Sequence, residues 1–508
     1  MDGKDLSRIV ATSKGLVRGT AEGDTYVFKG VPYAQPPIGD LRFAPPREME
    51  PWEDVLACDA FASCATQAPS MLVNTTPSED CLYLNIWTPS DATPDSRLPV
   101  VFWIHGGGYF TGCGTMDYYD GSAFAAQGVI LVTINYRLGA LGFLGLKTLL
   151  EQYGTTGNWG TLDQIAALQW THGNIANFGG DPENITIDGE SAGSFSVSNL
   201  IMSPLAKGLF KRAIMQSGSI FSNKVAVPFT KSELQPTIDM SREFAAQFGA
   251  DDSPEGLEKL RSIDAMGLWQ TGYFSSDATE VCPLAFWPTL DGHVLPQDPA
   301  AALKSGAVNG DEFIIGFNQC EGAVFISEKT TPELAQAYIE RIFPDGKTAH
   351  INELYPGADP VMQVTDVVTY AYFKAGETLM KDELARLGKK VYGYQFDYTP
   401  GGSYPMKNLG AHHAVEILYS FATSEKAGLS VDDRDRVVAE QMHTMWVNFA
   451  KTGSPNPVDE EADTLPQDVP WIAHVPGAGP TYYFDVSMRC TETEDVEKIV
   501  LYMKTLFE

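Results

Sequence analysis

Asn184-Ile185-Thr186-Ile187-Asp188-Gly189-Glu190-Ser191-Ala192-Gly193-Ser194-Phe195 is the stretch on which the fold turns. It opens with the β-branched residues of a short strand and runs into a helix expected over residues 192–202. Between them lies G-x-S-x-G, a sharp strand-to-helix turn that lifts a serine above a parallel sheet. In a chain with 47 glycines the pentapeptide alone is weak, and the strand before it and helix after it give it weight. Both glycines have a steric reason: a side chain at 189 or 193 would collide with the neighbouring strand or helix once Ser191 adopts strained dihedrals. The competing reading is a turn whose serine only caps the helix. Placement at a helix start also aims free N–H groups and the positive end of the helix dipole at any anion formed there.

Outward from this turn, short runs rich in Val, Ile and Phe alternate with longer amphipathic segments. Strands are expected at residues 99–104, 129–135, 184–188, 212–216, 313–317 and 391–396, and helices at 162–176, 192–202, 332–342 and 432–450. Such alternation predicts an α/β fold with a mostly parallel sheet covered by helices. His105-Gly106-Gly107-Gly108-Tyr109 follows the strand at 99–104. Its missing side chains would let backbone amides approach a substrate oxygen, as acyl transfer requires when negative charge grows on a carbonyl oxygen. The alternative is a merely flexible glycine loop.

A serine nucleophile needs an imidazole, itself oriented by a carboxylate. The α/β-hydrolase order is serine, acid, histidine, so both partners are sought beyond residue 191. Of the histidines there, only His412 and His413 sit in a glycine-flanked loop at a suitable distance after the strand at 391–396. Spacing does not choose between them. Glu321, in Asn318-Gln319-Cys320-Glu321-Gly322, ends the strand at 313–317 and is the best-placed acid.

Composition excludes several other classes. With 35 Lys+Arg against 65 Asp+Glu the net charge is -30, which disfavours nucleic-acid binding and favours solubility and the approach of cationic ligands. No apolar run approaches the length of a membrane span. The N-terminus Met1-Asp2-Gly3-Lys4-Asp5 lacks the apolar core of a signal peptide, which points to the cytoplasm, secretion remaining open if a leader has been trimmed. Seven cysteines without a C-x-x-C pair make neither a disulfide scaffold nor a zinc module. The acidic, proline-bearing segment 455–470 reads as a solvated loop. By length, 508 residues suggest about three domains. The candidate site draws on residues from 105 to 413, so residues 1–508 are read instead as one catalytic domain.

Several blocks give the chain a wider likeness: Phe28-Lys29-Gly30-Val31-Pro32-Tyr33-Ala34, Ser78-Glu79-Asp80-Cys81-Leu82-Tyr83-Leu84-Asn85-Ile86-Trp87, Asn135-Tyr136-Arg137-Leu138-Gly139 and Phe178-Gly179-Gly180-Asp181-Pro182. With the motifs above they resemble the type-B carboxylesterase and cholinesterase family over nearly the whole chain. The resemblance implies an α/β-hydrolase fold whose large insertions form a gorge and lid. It implies Ser191 as nucleophile, Glu321 as acid and His413 as base, choosing His413 because His413-Ala414-Val415-Glu416 matches the family's His-x-x-Glu element. Gly107, Gly108 and Ala192 would supply the oxyanion donors, and Glu190 and Ser217 resemble residues that lie near the base. Cys64 and Cys81 match the family's first disulfide, with two buried thiols as the alternative.

Where cholinesterases carry a tryptophan, ten positions before the cysteine of the Ser-Glu-Asp-Cys block, this chain has Met71, so choline specificity is not expected. Tyr109, Phe286 and Trp287 are candidate walls of an apolar pocket. The implied function is a serine carboxylesterase acting through an acyl-enzyme on a small-molecule ester, with no metal or organic cofactor. Two alternatives stand beside it: a silent binding module on the same fold, and an amide or peptide hydrolase using the same triad. Acyl and alcohol preference and oligomeric state are not encoded in any readable pattern.

Overall fold

Residues Leu98–Ile104 show how the sequence builds the molecule: Val100, Phe102 and Ile104 enter one buried cluster, and Val101 and Trp103 enter another. Successive side chains of a strand point to opposite faces, so a strand apolar on both faces must be covered on both. The computed structural model describes residues 7–221, 233–271, 286–326, 330–343, 348–355, 358–457, 469–477 and 479–507.

In chain order the first strands are β1 Ser7–Ala11, β2 Leu16–Glu22, β3 Thr25–Pro32, β4 Leu56–Ala57, β5 Cys64–Ala65, β6 Pro77–Ser78 and β7 Tyr83–Pro89. They are followed by β8 Leu98–Ile104, β9 Ile130–Ile134, β10 Gly180–Glu190, β11 Arg212–Gln216, β12 Glu312–Asn318, β13 Lys390–Phe396, β14 Pro480–Phe484 and β15 Arg489–Glu492. Among the described residues a 13-stranded sheet runs β1-β2-β3-β7-β9-β8-β10-β11-β12-β13-β14-β15, with β4 beside β2, and β5 pairs with β6 apart from it. From β9 to β14 every neighbouring pair is parallel, while β1, β2, β3 and β7 on one flank and β15 on the other run antiparallel to their neighbours along this order, the short β4 alone pairing with β2 in parallel. The sheet is therefore mixed, parallel where the site is built.

The expected strands and helices form close to their predicted limits, and the shifts have local causes. The helix expected at 162–176 spans Trp159–Asn174 and passes into a tighter turn, Ile175–Phe178, closed by Gly179 at φ 98°. The helix expected at 432–450 spans Asp433–Thr452, begun by a capping box between Asp432 and Asp435 and ended by Gly453 at φ 76°. The helices at 192–202 and 332–342 match their expected limits. Of the acidic segment 455–470, residues 458–468 lie outside the described residues, as does Cys282. No helix among the described residues is long and apolar enough to cross a membrane.

The Cys64–Cys81 bridge implied by the resemblance is not made: both are buried free thiols. The Cys64 thiol instead donates to Thr75 O at 3.6 Å, and Cys81 lies in the fully buried surroundings of Arg137 and Asp163.

Candidate active site

Ser191 stands between the last residue of β10, Glu190, and the helix Ala192–Met202, with φ 55° and ψ -123°. A positive φ is costly for any residue but glycine, and persists only where the surroundings enforce it. Here they do: Ser191 N–H donates to Gln216 O on β11 at 2.9 Å, and Phe195 N–H donates to Ser191 O at 2.9 Å. A Cβ on Gly189 would lie 2.5 Å from the Gly193 backbone, and one on Gly193 only 2.0 Å from Ile104 O. Only glycine at both positions lets β8, β10 and the helix come this close.

The glycine loop leaves β8 beside this turn. A Cβ on Gly106 would meet Ser191 Cβ at 3.1 Å, so the loop and the nucleophile candidate are in contact. Gly107, at φ 103°, lies so near Thr111 that a Cβ would be 2.1 Å from its carbonyl oxygen. Among the described residues the N–H groups of Gly107, Gly108 and Ala192 donate to no protein acceptor. His105, at the loop's base, is fully buried, its ring stacked on Tyr136 with centroids 4.5 Å apart, and burial lowers its imidazole to about 4.

On the opposite side, Glu321 follows β12 and turns back on it. One carboxylate oxygen accepts from Asn318 N–H at 2.7 Å, and the other accepts from His413 Nδ1 at 2.6 Å. Phe325 and Phe373 hold the ring of His413 at centroid distances of 5.0 and 4.8 Å. His412, which spacing left equal to His413, is engaged elsewhere, with Nε2 2.9 Å from the Tyr404 hydroxyl and Nδ1 2.7 Å from His413 O. Nδ1 of His413 is thus committed to Glu321, and its Nε2 lies 3.1 Å from Glu190 Oε1. The Ser191 hydroxyl makes no hydrogen bond among the described residues, so in this arrangement the imidazole and the serine are brought near but not joined.

Four buried glutamates cluster here: Glu190 and Glu321 contact His413, Glu416 lies near it, and Glu377 lies near Glu321 and Glu416. Burial pushes the carboxyls of Glu190, Glu377 and Glu416 well above the usual range, and neighbouring carboxylates push further. Like charges this close in a dry site cannot all ionise. Ser217, at φ 56°, donates to Glu416 Oε1 at 3.4 Å, and Asn318 Nδ2 donates to the other Glu416 oxygen. Asn318, Glu377, Thr369, Phe325 and Phe373 were not singled out by the sequence reading. Asn318 alone carried a signal, as the first residue of the block that contains Glu321.

Tyr109, Phe286 and Trp287 are buried; the ring of Tyr109 meets Trp287 at 5.1 Å and Phe143 at 5.0 Å, and its hydroxyl meets Ser196 Oγ at 3.1 Å. Met71, at the position of the cholinesterase tryptophan, is 73% exposed.

Comparison with known proteins matches residues 6–496 to the model of the carboxylesterase family. The para-nitrobenzyl esterase of Bacillus subtilis (strain 168) is 36% identical over 467 residues, covering 88% of this chain and 91% of that protein. The fumonisin B1 esterase of Sphingopyxis macrogoltabida is 35% identical over 471 residues, covering 88% and 82%. Among solved structures, a PNB esterase superposes with a TM-score of 0.83 at 32% identity, covering 97% of this chain and 99% of that one.

Proposed function

The chain belongs to the carboxylesterase family, has its α/β-hydrolase fold and is a carboxylic ester hydrolase, and from that premise we propose a Ser191–His413–Glu321 triad acting through an acyl-enzyme. The observation that carries this reading is the imidazole of His413. Its Nδ1 is bound to Glu321 at 2.6 Å while Nε2 is left to face the residue just before Ser191. That bond fixes the tautomer in which Nε2 carries the free lone pair a general base needs.

Rotation about the Cα–Cβ bond of Ser191 brings its hydroxyl to Nε2. His413 takes the proton, the alkoxide attacks the ester carbonyl, and the resulting oxyanion is received by the unengaged N–H groups of Gly107, Gly108 and Ala192. The imidazolium, stabilised by Glu321, returns the proton to the departing alcohol. Water, activated by the same base, then releases the acid. Burial holds the Glu190 carboxyl well above the usual range, which disfavours a second negative charge facing the developing oxyanion. Because these groups come from residues 105 to 413, the reading takes residues 1–508 as one catalytic domain.

Incubation with an organophosphonate and peptide mapping tests the assignment. A single adduct on Ser191, lost in Ser191→Ala together with ester turnover, is expected. A labelled protein without modification at Ser191, or wild-type turnover in Ser191→Ala, overturns it. An ester series graded by acyl and alcohol size, with matched anilides, then sets the substrate range.

A further inference from the structure

Thr369, Phe373, Glu377 and Lys381 recur at intervals of four along the π-helical segment Thr369–Lys374 and the α-helix Ala375–Arg386 that continues it. Four residues overshoot an α-turn of about 3.6 residues, so such a row normally drifts around the helix. The wider π turn offsets that drift, and π segments recur at functional sites.

This row touches the site in three places. Thr369 Oγ1 accepts from Gly322 N–H at 2.9 Å, next to Glu321. The ring of Phe373 lies 4.8 Å from that of His413. Glu377 Oε1 accepts from Gly218 N–H, in the loop after β11. Gly218 backs the nucleophile: its carbonyl accepts from Ser194 Oγ at 2.6 Å, and a Cβ on it would lie 2.9 Å from Ser191 O. Two residues earlier, Gln216 O accepts the Ser191 N–H.

Glu377 is fully buried, and its second oxygen has no hydrogen-bond partner among the described residues. Lys381, one turn on and also buried, sits over the ring of Phe317 at 5.3 Å and supplies the opposite charge. Burying a carboxyl to hold one backbone N–H is expensive, and here the expense falls where the helix reaches the back of the serine turn. We propose that Glu377 is a positioning residue for the nucleophile, holding Gly218 and through it the Ser191 turn in the register from which the hydroxyl reaches His413.

The inference rests on the triad reading above, so phosphonylation of Ser191 in the wild-type protein is measured first. No adduct there sinks the triad, whatever Glu377 does. Glu377→Asp then withdraws the carboxyl by one methylene, and Glu377→Gln keeps an acceptor at the same reach in a group that cannot ionise. The Asp variant is expected to lose about tenfold to hundredfold in kcat and in phosphonylation rate, with KM changed less than about twofold. The Gln variant is expected to stay within about threefold of wild type in all three. Wild-type kcat in the Asp variant, or equal losses in both, overturns the proposal while leaving the triad standing. Hydrogen exchange of the wild-type protein supplies an arm independent of any variant's folding. The Gly218 amide is expected to exchange slowly, and exchange at the rate of an unprotected loop amide overturns the proposal.

Discussion

The two halves of the site are built by different means. Around Ser191 the construction is backbone on backbone: glycines at 189, 193 and 107 admit approaches that a Cβ would block, and the turn is held by main-chain hydrogen bonds. Around His413 the construction is side chain on side chain: a carboxylate, two aromatic rings and buried glutamates delivered by distant elements. The first half fails by sterics and the second by lost contacts, so substitutions should separate them.

The largest effect is expected from Gly193→Ala, whose Cβ would lie 2.0 Å from Ile104 O. Backbone must move to relieve it, and a destabilisation above about 4 kcal/mol, with loss of soluble active protein, is expected in urea unfolding and yield. A stable, active Gly193→Ala would erase the distinction. Next, Glu321→Gln should fold normally yet lose about 1,000- to 10,000-fold in kcat, because an amide donating to Nδ1 moves the proton to Nε2 and removes the base. Retained kcat with a normal pH profile would take Glu321 out of the proposed triad.

Asp188, behind the serine turn on β10, sharpens the comparison through pH. Burial raises its carboxyl from 3.8 to about 7, although Gln216 Nε2 donates to it at 2.9 Å. Between those values the folded protein holds a proton that the unfolded chain has lost. Its contribution to stability is therefore fully present below 3.8 and lost as pH rises through about 7. Relative to Asp188→Asn, the wild type is expected to lose about 4 kcal/mol between pH 3 and 8, read by urea unfolding at both ends. A difference independent of pH would mean that the carboxyl is not confined as the structure has it. The smallest effect is expected from Phe373→Leu, about tenfold in kcat without loss of fold, since Phe325 still bounds the imidazole on its own side. No change in kcat would show the second ring to be packing alone.

The same contrast explains what could be read from the residues alone. Gly189-Glu190-Ser191-Ala192-Gly193 and His105-Gly106-Gly107-Gly108 are legible because a strained turn and a bare loop admit few residue types, and the requirement is local. The buried strands are legible for a similar reason, since Val, Ile and Phe runs at 212–216 or 391–396 have few other uses. Spacing could not separate His412 from His413, because the difference lies in Tyr404 and Glu321, one near and one 92 residues away. Nothing local marks Glu377 or Phe373 either: a π turn has no residue code, and their partners lie 159 and 40 residues off in sequence. Whether Cys64 and Cys81 pair was likewise not legible, because the partner of each sulfur is set by tertiary neighbours, Cys64 donating to Thr75 O and Cys81 packing beside Arg137 and Asp163.

β10 carries the serine turn from the interior of the sheet, with six strands before it in the sheet order and five after. Fraying that starts at either rim must therefore cross several ladders before it disturbs residues 185–190. Their amides should be among the slowest in the molecule to take up deuterium, opening only with global unfolding. A protein nicked or loosened at its rims would on this account keep the proposed nucleophile in place until the whole sheet gives way, and inactivation would then be abrupt rather than graded.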